Sequence, residues 1–379
     1  MIKGYKIRIY PTKEQEELLW KHIGCCRFIW NYMLDLQKKR YENDEKHLSG
    51  FDMINLLKPL KNDGEHGWLY DVSNTSLQRE CRDLDEAYRR FFKKTSGFPK
   101  FKSRKKDNQS YPVCSENFYI SDGMFLVIQK LKKVRYRTDF TLPTGRKCKF
   151  SNARVSHSNN KWFISFGLEC ENQAHELSDK NIGIDLGVKD LAVVAYGDEK
   201  IVYSNINKSR NVRDLNSKLK HTQRSISRKY AQNRTGNKYT KTNNIIREEN
   251  KLRKLRRRIR NIHHDYIHKI THSLTLLLPK RVIMEDLNVS GMMKNKHLSK
   301  SISEQCFYEF IRQMRYKCEW NGIEFVQADR FYPSSKTCSC CGSIKKNLKL
   351  SDRIYVCDVC GTAIDRDFNA ALNLSRYVA

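Results

Sequence analysis

Two kinds of residue in this sequence can do chemistry: acids set in apolar company, and cysteines set in pairs. Asp185 lies inside the apolar run Ile182-Gly183-Ile184-Asp185-Leu186-Gly187, and Glu285 follows Val282-Ile283-Met284 and precedes Asp286-Leu287. A carboxylate in a buried strand is destabilising unless a cation or hydrogen bonds compensate it. A third acid comes from Asp365-Arg366-Asp367-Phe368-Asn369-Ala370-Ala371, which opens a terminal helix. Neighbours on a strand face opposite ways, so only one of Glu285 and Asp286 can serve a site shared with Asp185. Residues two apart on a helix diverge by roughly 200°, so only one of Asp365 and Asp367 can join them. Asp365 suits an N-cap and Asp367 the first turn. Three carboxylates from two strands and a helix supply the hard oxygen ligands of two-metal phosphodiester hydrolysis, in which Mg²⁺ ions clamp the attacking and leaving oxygens and no covalent nucleophile is needed. Mn²⁺ takes the same ligands.

The paired cysteines are Cys338-x2-Cys341-Gly342 and Cys357-x2-Cys360-Gly361, with 15 residues between the pairs. Four thiolates at this spacing read as one structural Zn²⁺ with no open ligand position. Cys340 could replace a neighbour in the first pair, but the symmetry of the two CxxCG units favours Cys338 and Cys341. The other cysteines (Cys25, Cys26, Cys81, Cys114, Cys148, Cys170, Cys306 and Cys318) lack partner spacing and read as packing or surface thiols. Thirteen cysteines behind an N-terminus without an apolar signal core are expected in a reducing, cytoplasmic setting.

The partner expected from charge is a polyanion. The chain carries 72 Lys and Arg against 42 Asp and Glu, a formal +30, which is more than solubility calls for. No apolar run approaches the roughly 20 residues of a membrane span, so nucleic acid is favoured over a membrane surface. Residues 207–260 hold 19 Lys or Arg against 3 acids. So much like charge in one segment is self-repulsive without a bound polyanion. A second basic tract, residues 98–106, interleaves Lys100, Lys102, Arg104, Lys105 and Lys106 with Phe98 and Phe101, and reads as either a solvated linker or a nucleic-acid contact.

The elements that must position these residues divide an α+β chain of 379 residues into several domains. Tyr5, Ile7 and Ile9 alternate with Lys6 and Arg8 as a strand does, and Pro11 ends it. Helical stripes follow, through Leu18 to Leu36 and through Leu77, Cys81, Leu84, Tyr88 and Phe91. Short strands are then expected at Phe125 to Ile128, Val134 to Phe140 and Trp162 to Phe166; with the first strand they could close one barrel around the helical insert. From Asn181 the pattern turns α/β: strands at residues 182–186 and 191–195, another at 282–284, a helix through Phe307 to Trp320, and a strand at 323–328.

Gly183-Ile184-Asp185-Leu186-Gly187, Glu285-Asp286-Leu287-Asn288, Pro333-Ser334-Ser335-Lys336-Thr337-Cys338 and the Asp365 to Ala371 motif together resemble the TnpB (OrfB) proteins of bacterial insertion sequences, relatives of compact type V CRISPR nucleases. Leu77-Gln78 through Phe92 and Gly97-Phe98-Pro99-Lys100-Phe101 extend the resemblance over nearly the whole chain. It implies a wedge-type β-barrel (1–12 and 107–178) interrupted by a helical recognition lobe (13–106). An RNase H-like RuvC domain (179–336 and 362–379) with a zinc-ribbon insertion (337–361) would follow. Asp185, Glu285 and Asp367 then match the catalytic acids, two Mg²⁺ the catalytic cofactor, and Asp365 is left as a cap. The implied activity is RNA-guided DNA cleavage by a favoured monomer, associated with the nucleoid when bound to DNA. Its partners would be a noncoding guide RNA from the transposon end and double-stranded DNA with a short adjacent motif. Gln78, whose amide can hydrogen-bond adenine edges, reads as either a contact to that motif or an ordinary exposed helix residue. The competing expectations are a nuclease-inactive RNA-guided repressor, which the full acid set disfavours, and a DNA-joining transposase.

Overall fold

The computed structural model describes all residues except 106–107, 115–117, 123, 146–147, 149, 172–174, 237, 350–351 and 379, so Lys106 of the second basic tract lies outside the described residues. The chain forms two compact units, Met1–Glu171 and Asn172–Ala379.

The first unit is a seven-stranded antiparallel sheet with helices between its first and second strands. The strands are β1 (Ile2–Tyr10), β2 (Gln109–Pro112), β3 (Tyr119–Asp122), β4 (Phe125–Ile128), β5 (Lys132–Arg137), β6 (Phe150–Ser158) and β7 (Lys161–Glu169), in the order β2-β6-β7-β1-β5-β4-β3. The helices are α1 (Lys13–Glu42), α2 (Gly50–Asn55), α3 (Leu57–Lys61) and α4 (Asn74–Phe92). A capping box of Thr12 and Gln15 starts α1, and Gln15 Nε2 donates to the Leu131 and Lys133 carbonyls, tying the helix to the sheet. Alternation then does the rest: Ile7, Ile9, Val134, Tyr136, Trp162, Ile164 and Phe166 are buried in one core with Leu19, Ile23, Ile29 and Leu77.

The expected closed barrel is not formed among the described residues. Edge strand β2 pairs only with β6, and edge strand β3 pairs among strands only with β4. Helices α1 and α4 pack against β2, which is four residues long and ends in Pro112, a residue with no N–H to give a further strand. Phe140, expected in a strand, lies beyond β5 and is exposed, its ring 5.3 Å from that of Tyr5.

The second unit is built on a mixed sheet, β10-β9-β8-β13-β14, from β8 (Asn181–Leu186), β9 (Asp190–Tyr196), β10 (Glu199–Ser204), β13 (Arg281–Glu285) and β14 (Glu324–Ala328). Strands β8, β13 and β14 run parallel, while β9 and β10 are antiparallel additions. Between β10 and β13 come α5 (Arg210–Gln232), a small hairpin of β11 (Arg234–Thr235) and β12 (Lys238–Tyr239), and the 34-residue α6 (Asn243–Leu276). Between β13 and β14 lie α7 (Val289–Met292), α8 (Ser299–Gln305) and α9 (Phe307–Trp320); β15 (Ile354–Val356), β16 (Ala363–Asp365) and α10 (Arg366–Ser375) end the chain. Alternation sends Ile182, Ile184, Val282 and Met284 toward Ile267, Ile270 and Leu274 of α6 and Phe310 and Met314 of α9. On the other face Ala195, Ile283 and Ala328 meet Ala371, Leu372 and Leu374 of α10. Among the described residues no helix is long and apolar enough to cross a membrane.

Candidate functional site

Asp185 and Glu285 come together because β8 and β13 are parallel neighbours in which Ile184 pairs with Met284, leaving the two acids side by side one residue on. Both follow a residue packed toward α6 and α9, so both side chains fall on the α10 face. Helix α10 packs on β8 over Gly183, where the missing side chain lets two backbones approach, and this sets its first turn above the acids. Asp365 is the N-cap, its carboxylate accepting from Phe368 N at 2.9 Å, while Asp367 lies in the first turn.

The electrostatics register this meeting. The half-buried Asp185 carboxyl is held well above the usual carboxylate range, first by burial and then by the negative charges of Glu285 and Asp367. Arg366 opposes them, with its guanidinium 3.4 Å from Asp367 Oδ1. Asp286, one residue past the strand, instead pairs with Arg330 at 2.5 Å. Asp365 pairs with Lys200 at 3.2 Å. The Glu285 carboxylate accepts a hydrogen bond from the Ser334 hydroxyl, a partner that sequence reasoning missed. Three oxygen-bearing side chains around a crowded negative centre are a fit donor set for hard divalent cations, which would relieve the repulsion.

The four thiols are more tightly gathered. Among the described residues Cys338, Cys341, Cys357 and Cys360 form the only group of three or more potential ligands whose atoms all lie within 4.8 Å of one another. The Cys338–Cys360 and Cys341–Cys357 sulfur pairs are each 3.6 Å apart, close to the roughly 3.8 Å edge of a tetrahedron with metal–sulfur bonds of about 2.3 Å. Gly342 and Gly361 turn the chain after each pair at φ of 75° and 71°. N–H groups of Cys360 and Val359 and the Ser343 hydroxyl hold the Cys357 thiol down to about 5, whereas burial pushes Cys338 up to about 11. Cys340 is exposed and stands outside the group.

Of the 19 cations in residues 207–260, all but Lys229, Arg253 and Arg257 are exposed, on α5, α6, the hairpin between them and, at Lys208 and Lys241, the segments that flank them. Lys220, Arg224 and Arg228 line one face of α5, and Arg247, Lys251 and Lys254 one face of α6, at spacings where like charges repel. Two of the three acids are already engaged: Glu248 with Lys229 at 3.6 Å and Glu249 with Lys241 at 2.6 Å.

In the first unit the second basic tract, read as either a solvated linker or a nucleic-acid contact, is docked through its backbone. Trp30 Nε1 donates to the Lys100 carbonyl at 3.0 Å, and Asn31 makes two hydrogen bonds with the Lys102 backbone. Lys102 Nζ reaches the fully buried Glu80 at 2.7 Å, leaving Lys100, Arg104 and Lys105 exposed. Gln78 lines a groove of about 740 Å³ together with Arg79, Arg82, Lys102 and Arg154.

Three family models match this chain: "Helix-turn-helix domain" over residues 1–46, "Probable transposase" over 165–296, and "Cas12f1-like, TNB domain" over 307–374. In the structure the first of these segments contains strand β1 and the single long helix α1. A Streptomyces pristinaespiralis protein named "Putative RNA-guided DNA endonuclease" is 30% identical over 98% of this chain and 88% of its own length. One from Escherichia coli (strain K12), "Putative RNA-guided DNA endonuclease InsQ", is 32% identical over 98% of this chain and 91% of its own length. In fold the chain is similar to the protein of a Cas12f1-sgRNA-target DNA complex, with a TM-score of 0.55 at 16% identity over 99% of this chain and 98% of that one.

Proposed function

The chain belongs to the TnpB (OrfB) family, and from that membership we propose that it is an RNA-guided DNA endonuclease of an insertion sequence. It binds a transposon-derived guide RNA and hydrolyses complementary DNA beside a short adjacent motif. The observation that carries the reading is the meeting of Asp185, Glu285 and Asp367 at the ends of two parallel strands beneath the first turn of α10. On this reading residues 179–336 and 362–379 are the RuvC-type nuclease domain and 337–361 its zinc insertion. Residues 1–12 and 107–178 are then a wedge domain built on the open sheet, and 13–106 the recognition lobe.

The three acids would hold Mg²⁺, which when bound supplies Lewis-acid activation of water and stabilises the leaving oxygen. The chain's own part is positional. Strands β8 and β13 fix two carboxylates, α10 brings the third, and Ser334 donates a hydrogen bond to one of them. Arg366 partly neutralises Asp367, and a bound cation would compete with it for that carboxylate. The four thiols suit one structural Zn²⁺. The cations of α5 and α6 suit a sugar-phosphate backbone read by shape, sequence being left to base pairing. The basic lining of the Gln78 groove, Arg79, Arg82, Lys102 and Arg154, suits the phosphates of a target-adjacent duplex.

The test is to purify the chain expressed with its flanking locus, sequence the RNA that copurifies, and supply target DNA with Mg²⁺. A discrete RNA ending in variable sequence, cleavage by the native chain, and binding without cleavage by Asp185→Ala are expected. Joined rather than cut DNA ends would favour a transposase, and cleavage by Asp185→Ala would remove the acid assignment.

A further inference from the structure

Glu285 is held from a direction its own strand does not explain. Ser334, 2% exposed, donates its hydroxyl to Glu285 Oε1. It belongs to residues 333–338, an irregular segment between β14 and the first cysteine pair. Helix α10 grips that segment with two buried amides. Asn373 Nδ2 donates to the Ser334 carbonyl at 2.7 Å and the Thr337 carbonyl at 2.6 Å. One turn earlier, Asn369 Nδ2 donates to the Thr337 carbonyl at 2.7 Å, and its Oδ1 accepts from Ser339 N at 2.9 Å. Cys338, a member of the thiol group, is the residue between Thr337 and Ser339.

Asparagine is a poor choice for a buried helix interior unless its amide is satisfied. Here Asn369 and Asn373 are 0% and 5% exposed and spend their hydrogen bonds on one short segment. That segment presents a hydroxyl to Glu285 at one end and a thiol to the cysteine group at the other. The helix doing the gripping also carries Asp367.

We propose that Ser334 is a positioning residue for Glu285, and that the Asn369 and Asn373 clamp makes its position depend on metal held by the four cysteines. The inference rests on the reading of Glu285 as a ligand of the catalytic cation. A carboxylate that turns freely must be ordered when the cation binds; one already oriented by a fixed hydroxyl needs no such ordering. Zinc at Cys338 immobilises residues 333–338, and through them the Ser334 hydroxyl. The zinc module thereby acts on the acids through five side-chain hydrogen bonds, without contributing a group to the reaction.

The test titrates Mn²⁺ into the zinc-loaded full-length chain, free of nucleic acid, and reads bound metal by electron paramagnetic resonance. Ser334→Ala should weaken Mn²⁺ binding about 10-fold, at the lower end of what loss of a ligand's orienting partner does, with zinc content unchanged. Ser334→Thr, which keeps the hydroxyl, should restore most of it, and Cys341→Ser should weaken it as Ser334→Ala does. Native Mn²⁺ binding by Ser334→Ala beside weakened binding by Glu285→Ala overturns the positioning role alone. Native binding by Cys341→Ser after loss of its zinc overturns the coupling. Native binding by Glu285→Ala overturns the ligand reading and, with it, the proposal.

Discussion

Gly183 of β8 runs directly beneath Ala371 of α10: a Cβ built on the glycine would stand 2.0 Å from the Ala371 carbonyl oxygen and 2.4 Å from Ser375 N. Both are backbone atoms, so no rotamer change relieves the clash. Gly183→Ala must lift the helix off the strand, and with it Asp367 from Asp185. The expected loss is about 3 kcal/mol or more, measured by urea denaturation, with cleavage abolished in whatever fraction folds. A native midpoint would mean that α10 does not pack on this strand.

Asp185→Asn should stabilise the metal-free chain while ending cleavage. Burial and the charges of Glu285 and Asp367 raise the Asp185 pKa, so the folded chain keeps a proton that the unfolded chain releases near pH 4. Stability therefore falls as pH rises through that window, and the penalty is complete only above the raised folded value. A neutral amide removes it. The melting temperature at pH 7.5 should rise, and the difference should vanish near pH 4. A lower melting temperature at pH 7.5 would show that the acids are not crowded.

Much of this site was legible in the chain because its signals are local. An acid interrupting an apolar strand, as at Asp185 and Glu285, announces a compensated charge, and two CxxCG units announce a tetrahedral thiol site. Ser334 was not legible: its bond to Glu285 spans 49 residues and leaves no mark on the spacing around either one. Asn369 and Asn373 did carry a signal, two amides four apart among the apolar positions of α10, but their targets are backbone carbonyls that composition cannot reveal. The open first sheet has the same cause. Alternation identifies β1, β4, β5 and β7 as strands, while the partner of an edge strand is decided at long range by what else covers it, here α1 and α4 against β2.

The thiol group should hold one zinc whose removal unfolds its surroundings. The local core consists of Cys338, Cys357 and Tyr355, with Leu348 and Ile364 against them, too little apolar surface to stand without a metal. Chelation should release one equivalent of zinc, and the β15–β16 amides should lose their hydrogen-exchange protection; Cys357→Ser should reproduce this. Retained protection after complete zinc loss would make the metal dispensable.

The rows of charge on α5 predict a salt dependence. Replacing Lys220, Arg224 and Arg228 by Gln removes three exposed cations that have no carboxylate partner among the described residues. The slope of log affinity for guide RNA against log salt should become shallower by about 2–3, at roughly 0.7–0.9 per phosphate contact. An unchanged slope would place the RNA elsewhere and leave these residues as a solvated face.

Lys317 offers a pH test of the packing between α6 and α9. Its side chain is buried, with Nζ donating to the His268 carbonyl at 2.9 Å and Thr271 Oγ1 at 2.7 Å, and no carboxylate pairs with it among the described residues. Burial pushes its pKa down to about 8, while the unfolded chain keeps the ordinary value near 10.4. Below pH 8 both states carry the charge, and the fold bears the full penalty of burying it. Between about 8 and 10 the folded chain releases its proton first, so stability rises with pH, by at most about 1.4 kcal/mol per pH unit for a whole proton. Cysteines and tyrosines titrate in the same range, so the native slope alone decides nothing. The difference between native chain and Lys317→Met does, because the substitution removes one group and fills nearly the same volume. Lys317→Met should be the more stable at pH 7, with the gap closing toward pH 10, as read from urea midpoints at each pH. A gap that stays constant with pH would mean that the ammonium reaches water and that the hydrogen bonds to α6, not the charge, decide what this residue contributes.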